Sequence, residues 1–163
     1  MSETAPQGVG LRGIEVAEEC LAVRARLLSR RLSRIYDGEL RPLGLTVGQL
    51  TVLSVLDVSD GAPAGRVADL LAMDISTLSR NARIMESEGW ITIERAERGN
   101  GRVLRLTSAG RQKLRDARPA WDRAQMETRE LLGDEDARAL KHLGGRELKR
   151  LGEGVFDEQL RHL

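Results

Sequence analysis

The stretch MDISTLSRNARIMESEGW, residues 73–90, has the residue spacing of an amphipathic helix. Apolar residues recur there every three or four positions, which predicts one core-facing side: Ile75, Leu78, Ala82 and Met85. Polar and basic residues fall on the opposite side: Ser76, Thr77, Ser79, Arg80 and Arg83. Asp74 stands where a helix cap is expected, and Gly89 stands where a helix ends. Ile84 also falls on the polar side, and the pattern does not account for it.

The residues that follow this helix predict a two-stranded β-hairpin with a basic tip. Apolar residues alternate with other residues in WITIE (90–94) and in VLRL (103–106), a period of two that is typical of strands. Asn100-Gly101 between them is a strong signal for a tight turn. The arginines of this segment lie at the tip of the hairpin and its approaches: Arg95, Arg98 and Arg102.

The residues before residue 73 predict three helices. The first is expected over about residues 14–40, where an apolar stripe recurs. Thr46 and Gln49 have the spacing of a capping box, so a second, largely apolar helix is expected to start directly after Thr46. DGAP (60–63) predicts a turn, and a short third helix is expected over residues 65–73.

The C-terminal third of the chain also predicts helices. Thr107 or Ser108 is expected to cap a helix that reaches about Leu132, and Asp134 is expected to cap the last one. Gly144-Gly145 should weaken or kink that last helix. The fold class is therefore mainly α with a small β-hairpin wing (α+β).

A helix, a short helix, a turn, a polar-faced helix and a basic hairpin follow one another in the order of a winged helix-turn-helix. The polar-faced helix has the size to enter a DNA major groove, which is about 12 Å wide. Arginine pairs two-fold with guanine, serine and threonine reach phosphates or base edges, and wing arginines reach phosphate or the minor groove. Two other readings remain: a helix with a solvated face, and a winged-helix scaffold that binds only protein.

The charge distribution is compatible both with the DNA reading and with a solvated helical face. Residues 75–115 contain nine basic and four acidic residues, a net charge of +5, so the rest of the chain carries −4 of the total of +1. A basic centre between more acidic ends is a candidate surface for a polyanion.

The other classes of protein find little support. The two histidines, His142 and His162, lie far along the chain from the lone Cys20, so no nucleophile set and no metal-ligand spacing is present. GVGLRG (8–13) matches a dinucleotide-binding pattern but has no strand before it, so no cofactor is expected. One cysteine, no apolar run near ~20 residues and no signal-peptide layout in MSETAPQGVG (1–10) indicate a cytoplasmic protein without a membrane partner.

Three segments together resemble the MarR family of winged helix-turn-helix transcriptional regulators. YDGELRPLGLTVGQLTVLSVL (36–56) is similar to the end of the family's first helix and its buried second helix. VADLLAMDISTLSRNARIMESEGWI (67–91) is similar to its helix-turn-helix run, and RLTSAGR (105–111) to the end of its wing. The resemblance extends from about Cys20 to Leu132.

The resemblance implies a homodimer that represses transcription from a near-palindromic, double-stranded DNA operator and is released by a small-molecule effector. On this reading residues 1–12 are a flexible tail, 13–45 a dimerisation helix, 46–108 the DNA-binding domain and 109–163 the C-terminal dimerisation helices. The resemblance places Arg24, Tyr36 and Gln49 near the effector pocket.

Two positions bear on how closely the chain follows the family. The family wing often carries Asp-Arg-Arg where this chain has Arg98, Gly99 and Asn100, so the pair that stiffens the wing is missing and Arg102 or Arg95 takes over the DNA contact. Some members sense peroxides through a first-helix cysteine, which makes redox sensing by Cys20 an alternative to plain packing. The corresponding position is two residues away, and Arg24 one turn on is a candidate for lowering the thiol pKa.

Overall fold

The computed structural model describes residues 13–59, 61–96 and 101–152, with the side chains of residues 147–152 excepted. The elements in chain order are α1 (Gly13–Glu19), α2 (Leu21–Leu40), a 3-10 turn (Arg41–Leu43), α3 (Val47–Asp57), β1 (Ala62–Pro63), α4 (Ala64–Leu70), α5 (Ile75–Ser87), β2 (Ile91–Arg95), β3 (Arg102–Leu106) and α6 (Ser108–Gly152). The predicted fold class, mainly α with a small β wing, is confirmed. The predicted tail at residues 1–12 lies outside the described residues.

The first predicted helix is interrupted at Cys20. The two backbone hydrogen bonds that Cys20 makes are long, with 3.3 Å from Cys20 N to Val16 O and 3.2 Å from Arg24 N to Cys20 O. The chain forms two compact units, one ending at Arg34 and one beginning at Ile35. In the first unit Leu21 is 80 % exposed, so its apolar surface is largely open in the single chain.

Helix α3 forms the centre of the core of the second unit. Val52, Leu53 and Leu56 on this helix have no exposed surface. The predicted capping box is present, because Gln49 N donates to Thr46 Oγ1 (3.2 Å) and Thr46 N donates to Gln49 Oε1 (3.0 Å). These bonds fix where α3 begins and hold its apolar side against α6 and the sheet.

The sheet has three antiparallel strands in the order β1-β3-β2, whereas two strands were predicted. In the hairpin Ile91 lies opposite Leu106 and Arg95 opposite Arg102. The predicted turn at residues 60–63 is wrong for its last two residues, because they form strand β1, in which Ala62 pairs with Leu104. Pro63 cannot donate to a ladder, so the strand stops after two residues at the edge of the sheet, which is where proline is tolerated.

One threonine joins the end of the wing to the turn after α5. The one proton of the Thr107 hydroxyl is shared between the carbonyl oxygens of Gly89 (2.7 Å) and Trp90 (3.0 Å), and the hydroxyl oxygen accepts from Gly110 N (3.0 Å) as the cap of α6. A Cβ on Gly110 would lie 2.1 Å from Trp90 O and 2.6 Å from Leu106 Cδ1. Any larger residue at this point of α6 must therefore displace the backbone at Trp90.

Helix α6 contains the break that the sequence predicts near Leu132. Gly133 has φ 76° and ψ 163°, which no helical residue adopts, so α6 is two helices in succession. The second part continues without a break through Gly144 and Gly145, where a kink was predicted. Leu140 and Leu143 on this part are exposed in the single chain.

Candidate nucleic-acid interface

Helix α5 separates its side chains into a buried face and a polar face. Leu78 and Met85 have no exposed surface, and Ala82 is also buried. Thr77 is half-buried, and the other predicted contact residues of this helix are exposed: Ser76, Ser79, Arg80 and Arg83. The helix is held down by its apolar side and offers two arginines and two serines to the outside.

The Arg80 side chain is oriented by a neighbour on its own helix. Arg80 Nη2 donates to Thr77 Oγ1 over 3.3 Å, one turn back along α5. This contact leans the guanidinium toward the start of the helix and limits the rotamers of a long side chain. In the structure the Arg80 guanidinium thus lies along α5 beside Thr77.

A tight connection sets the angle between α4 and α5. Ala72 has φ 47°, a left-handed conformation that is uncommon for a residue with a Cβ, and Met73 N closes α4 on Ala68 O at 2.9 Å. Asp74 occupies the N-cap position, but its carboxylate makes no capping hydrogen bond. Its carbonyl instead accepts from Thr77 N (2.9 Å) and Leu78 N (3.0 Å), so the predicted position is confirmed and the predicted side-chain cap is not.

The wing brings two of its predicted arginines together. Arg95 and Arg102 are directly opposite in the ladder, and both are exposed. Opposite residues of an antiparallel pair point to the same side of the sheet. The Arg95 and Arg102 side chains therefore lie on the same face as the buried Ile91 and Leu104, nearer to the tip of the hairpin. Arg98, the third predicted wing arginine, lies outside the described residues, as do Gly99 and Asn100.

An ion pair that the sequence reasoning missed braces the other face of the wing. Arg105 Nε lies 3.1 Å from Glu94 Oε2, and Thr92 Oγ1 donates to Glu94 Oε1 over 3.2 Å. The Arg105 side chain also covers Gly61, where an added Cβ would come within 2.7 Å of its Nη1. The sequence did not predict this pair, because the observed register, with Arg95 opposite Arg102, is not the one that a two-residue turn at Asn100-Gly101 would set.

The predicted effector residues fall in different surroundings. Gln49 is buried, and its side-chain oxygen is engaged in the capping box of α3. Tyr36 is half-buried in the same unit, and burial raises the pKa of its hydroxyl above the ordinary value of 10.0. Arg24 is exposed and belongs to the first unit, as does Cys20, whose thiol is half-buried.

A cleft of about 190 Å³ lies between α3 and α6. Its walls are mostly apolar, and its lining is Leu50, Ser54, Leu114, Ala117, Arg118 and Trp121. Arg118 Cζ sits 5.2 Å from the centre of the Trp121 ring, while Arg118 Nε bonds to the Asp122 carboxylate at 3.0 Å. The three predicted effector residues are not part of this lining.

The described residues contain neither a cluster of metal ligands nor a membrane-spanning helix. No three His, Cys, Asp or Glu side chains of residues 13–59, 61–96 and 101–152 come together as metal ligands. Over the same part of the chain, no helix has the length and apolar character to cross a membrane.

The connected α4 and α5, followed by the β2–β3 wing, define a winged helix-turn-helix protein. No protein-family model and no curated protein matches this sequence. Solved structures do match. The transcriptional regulator MosR from M. tuberculosis is 32 % identical, with a TM-score of 0.65 over 78 % of this chain and 94 % of that one. MosR crystallised in complex with DNA is similar at 30 % identity, with a TM-score of 0.66 over 77 % of this chain and 94 % of that one.

A more distant structure has the same fold. A mutant of MarR from E. coli, crystallised in complex with operator DNA, is 18 % identical, with a TM-score of 0.69 over 81 % of this chain and 96 % of that one. The chain belongs to the MarR family of winged helix-turn-helix transcriptional regulators.

Proposed function

We propose that this protein is a sequence-specific DNA-binding transcriptional regulator that inserts α5 into the major groove. The observation that carries the proposal is the division of α5 into a face buried on Leu78 and Met85 and a face that exposes Arg80 and Arg83. MosR, at 30 % identity, has been crystallised with DNA, which supports the same use of this fold.

Each exposed side chain of α5 has a role that its chemistry allows. Arg80 and Arg83 provide planar donors that pair two-fold with guanine O6 and N7. Ser76 and Ser79 lie in the first turns of α5, where their hydroxyls and the positive end of the helix dipole favour a phosphate. The contact from Arg80 to Thr77 reduces the side-chain entropy that binding removes.

The wing arginines are proposed to bind the DNA backbone. Arg95 and Arg102 are exposed at directly opposed ladder positions, so a phosphate beside them has two guanidinium groups within reach. This contact is independent of base sequence, so it supplies affinity and register rather than specificity.

The protein is proposed to act as a homodimer and to repress. Large apolar side chains are exposed on the helices at both ends of the described chain: Ile14, Leu21, Leu27, Met126, Leu131, Leu140 and Leu143. Exposed apolar surface of this extent is typical of an interface. A dimer presents two copies of α5 to two half-sites about one helical turn apart, which requires a near-palindromic operator.

The α3–α6 cleft is the proposed site of a small-molecule effector. Leu50, Leu114 and the Trp121 ring supply apolar and aromatic contact, which suits a small apolar ligand, while Arg118 is already paired with Asp122. The cleft opens on α6, the helix that continues directly from the wing. Redox sensing by Cys20 stays a prediction.

The proposal is tested by selecting genomic DNA fragments with purified protein and titrating the best fragment at two salt concentrations. We expect a near-palindromic winner whose affinity falls steeply with salt, because phosphate contacts release counterions. Arg80→Glu should abolish binding while the dimer persists in sedimentation. Arg41→Glu, in the 3-10 turn after α2, applies the same charge reversal at an exposed residue outside the basic centre, and it should bind nearly as wild type does.

The wing contact has its own signature. Arg102→Ala should weaken binding to all sequences alike and reduce the salt slope by about one. If Arg80→Glu binds the selected operator normally, the placement of α5 in the groove is wrong. If all fragments bind equally or none binds, the winged-helix scaffold that binds protein becomes the better description.

A further inference from the structure

Helix α5 carries an apolar residue on its polar face. Ile84 is 49 % exposed, and among the exposed large apolar side chains of the described residues only Ile75 and Ile84 belong to this helix. At about 100° per residue, Ile75 lies about 60° from the core-facing Leu78, whereas Ile84 lies about 120° from it. Ile75 is therefore at the margin of the core, and Ile84 is beside Arg80 on the outside.

The fold does not account for an isoleucine at position 84. Its side chain is half open to water, so it contributes little to the core. A β-branched residue is also a weaker helix former than alanine, lysine or glutamate, which are the usual residues of an exposed helix position. The Ser87 hydroxyl, one turn further along α5, is engaged with the backbone, because Ser87 Oγ donates to the Ile84 carbonyl over 2.8 Å.

The position of Ile84 relative to the arginines suggests what it contacts. Arg80 is one turn before Ile84 and Arg83 is adjacent, so a helix that presents those arginines to base edges also presents the isoleucine methyl groups to the groove. The 5-methyl group of thymine is the apolar group that base pairs display in the major groove. An isoleucine has stiff rotamers, and a methyl contact needs no further ordering.

We infer that Ile84 contacts the 5-methyl group of a thymine and thereby selects an A·T pair at one position in each half-site. The inference rests on the proposed function, since it requires α5 to lie in the major groove. It adds a specificity-determining contact that charge cannot supply, because Arg80 and Arg83 recognise guanine and phosphate. The operator is expected to show a fixed thymine beside the bases that the arginines read.

Deoxyuridine provides the direct test, because it differs from thymidine only by the missing methyl group. Each thymine of the selected operator is replaced in turn, symmetrically in both half-sites, and the wild-type Kd is measured. We expect one position to lose about 15-fold in affinity, because removing one buried methyl contact costs about fourfold and the replacement is made in both half-sites. Ile84→Ala should bind the thymine and deoxyuridine operators equally, while Ile84→Val should keep most of the discrimination.

Ile75→Ala is the matched control, since it truncates the other exposed isoleucine of α5 and should retain the wild-type response to deoxyuridine. Ile84→Ala replaces an exposed residue by a better helix former, so its thermal unfolding should match the wild type. A wild-type scan that is flat at every thymine, or an Ile84→Ala protein that discriminates as wild type does, overturns the inference.

Arg80→Glu separates this failure from failure of the proposed function. A flat deoxyuridine scan together with loss of operator binding by Arg80→Glu overturns the Ile84 contact alone. Normal binding by Arg80→Glu overturns the placement of α5 in the groove, and the Ile84 contact with it.

Discussion

Replacing Gly110 by alanine tests whether the junction between the wing and α6 is as tight as the structure has it. The added methyl group would lie 2.1 Å from the Trp90 carbonyl oxygen and 2.6 Å from Leu106 Cδ1. A side chain can rotate away, but the carbonyl cannot move without disturbing the hydrogen bonds it accepts from Thr107 N and Thr107 Oγ1, both 3.0 Å long. The substitution therefore strains backbone.

The cost follows from three contributions. Overpacking a filled site costs about 1–3 kcal/mol, and weakening one buried hydrogen bond costs about 1 kcal/mol more. Alanine returns about 1 kcal/mol because it is a better helix former than glycine. We expect the free energy of unfolding to fall by about 2 kcal/mol, which moves the urea midpoint by about 1 M with an unchanged m-value.

Gly65→Ala in α4 is the matched control for this measurement. No described atom outside its own helix turn lies within 4 Å of the methyl group that it would gain. It should leave stability unchanged or raise it by up to about 1 kcal/mol. Urea unfolding of both variants is measured at the same chain concentration, because any dimer makes stability depend on concentration. A Gly110→Ala protein as stable as Gly65→Ala would refute the close approach to Trp90.

Two further predictions concern the first half of the second unit. Thr46→Ala removes the hydroxyl that accepts from Gln49 N, so it should lower the free energy of unfolding by about 1 kcal/mol in the same urea assay, whereas an equal midpoint would mean that the capping box contributes nothing. Tyr36 is the only tyrosine, and burial raises its pKa above 10.0, so its phenolate absorbance should have a midpoint above pH 10. Because the folded pKa is the higher one, the stability it contributes is complete below about pH 10 and is lost as pH rises through the folded pKa. A midpoint at or below that of free tyrosine contradicts the burial.

Local signals in the sequence were sufficient for much of the fold. The Thr46–Gln49 box, the Thr107 cap and the break at Gly133 each depend on residues within a few positions of one another, and all three are present. A period of 3.6 assigned Leu78, Ala82 and Met85 correctly to the buried side of α5, whereas Ile75, predicted to face the core, is 53 % exposed.

Two of the features that were missed depend on contacts between distant residues, and a third, the interruption at Cys20, has no local signal in the sequence. Strand β1 has two residues, too few for a periodic pattern, and it exists because Leu104 lies opposite Ala62. The interruption at Cys20 carries no glycine or proline to announce it. The Glu94–Arg105 pair joins residues eleven positions apart, and it became visible only once the register of the hairpin was known.

Thr107 has a mechanical consequence for the whole second unit. Its hydroxyl and its N–H bind the chain just after α5, and the same hydroxyl receives the first turn of α6 at Gly110. Because the Gly110 Cα packs against the Trp90 carbonyl, this junction leaves no room for the two segments to move apart independently. A displacement of α6 at Leu114, one turn further along in the cleft, must therefore be passed to the end of α5 or break the junction. The Thr107 hydroxyl thus couples the helix that lines the cleft rigidly to the helix that presents Arg80.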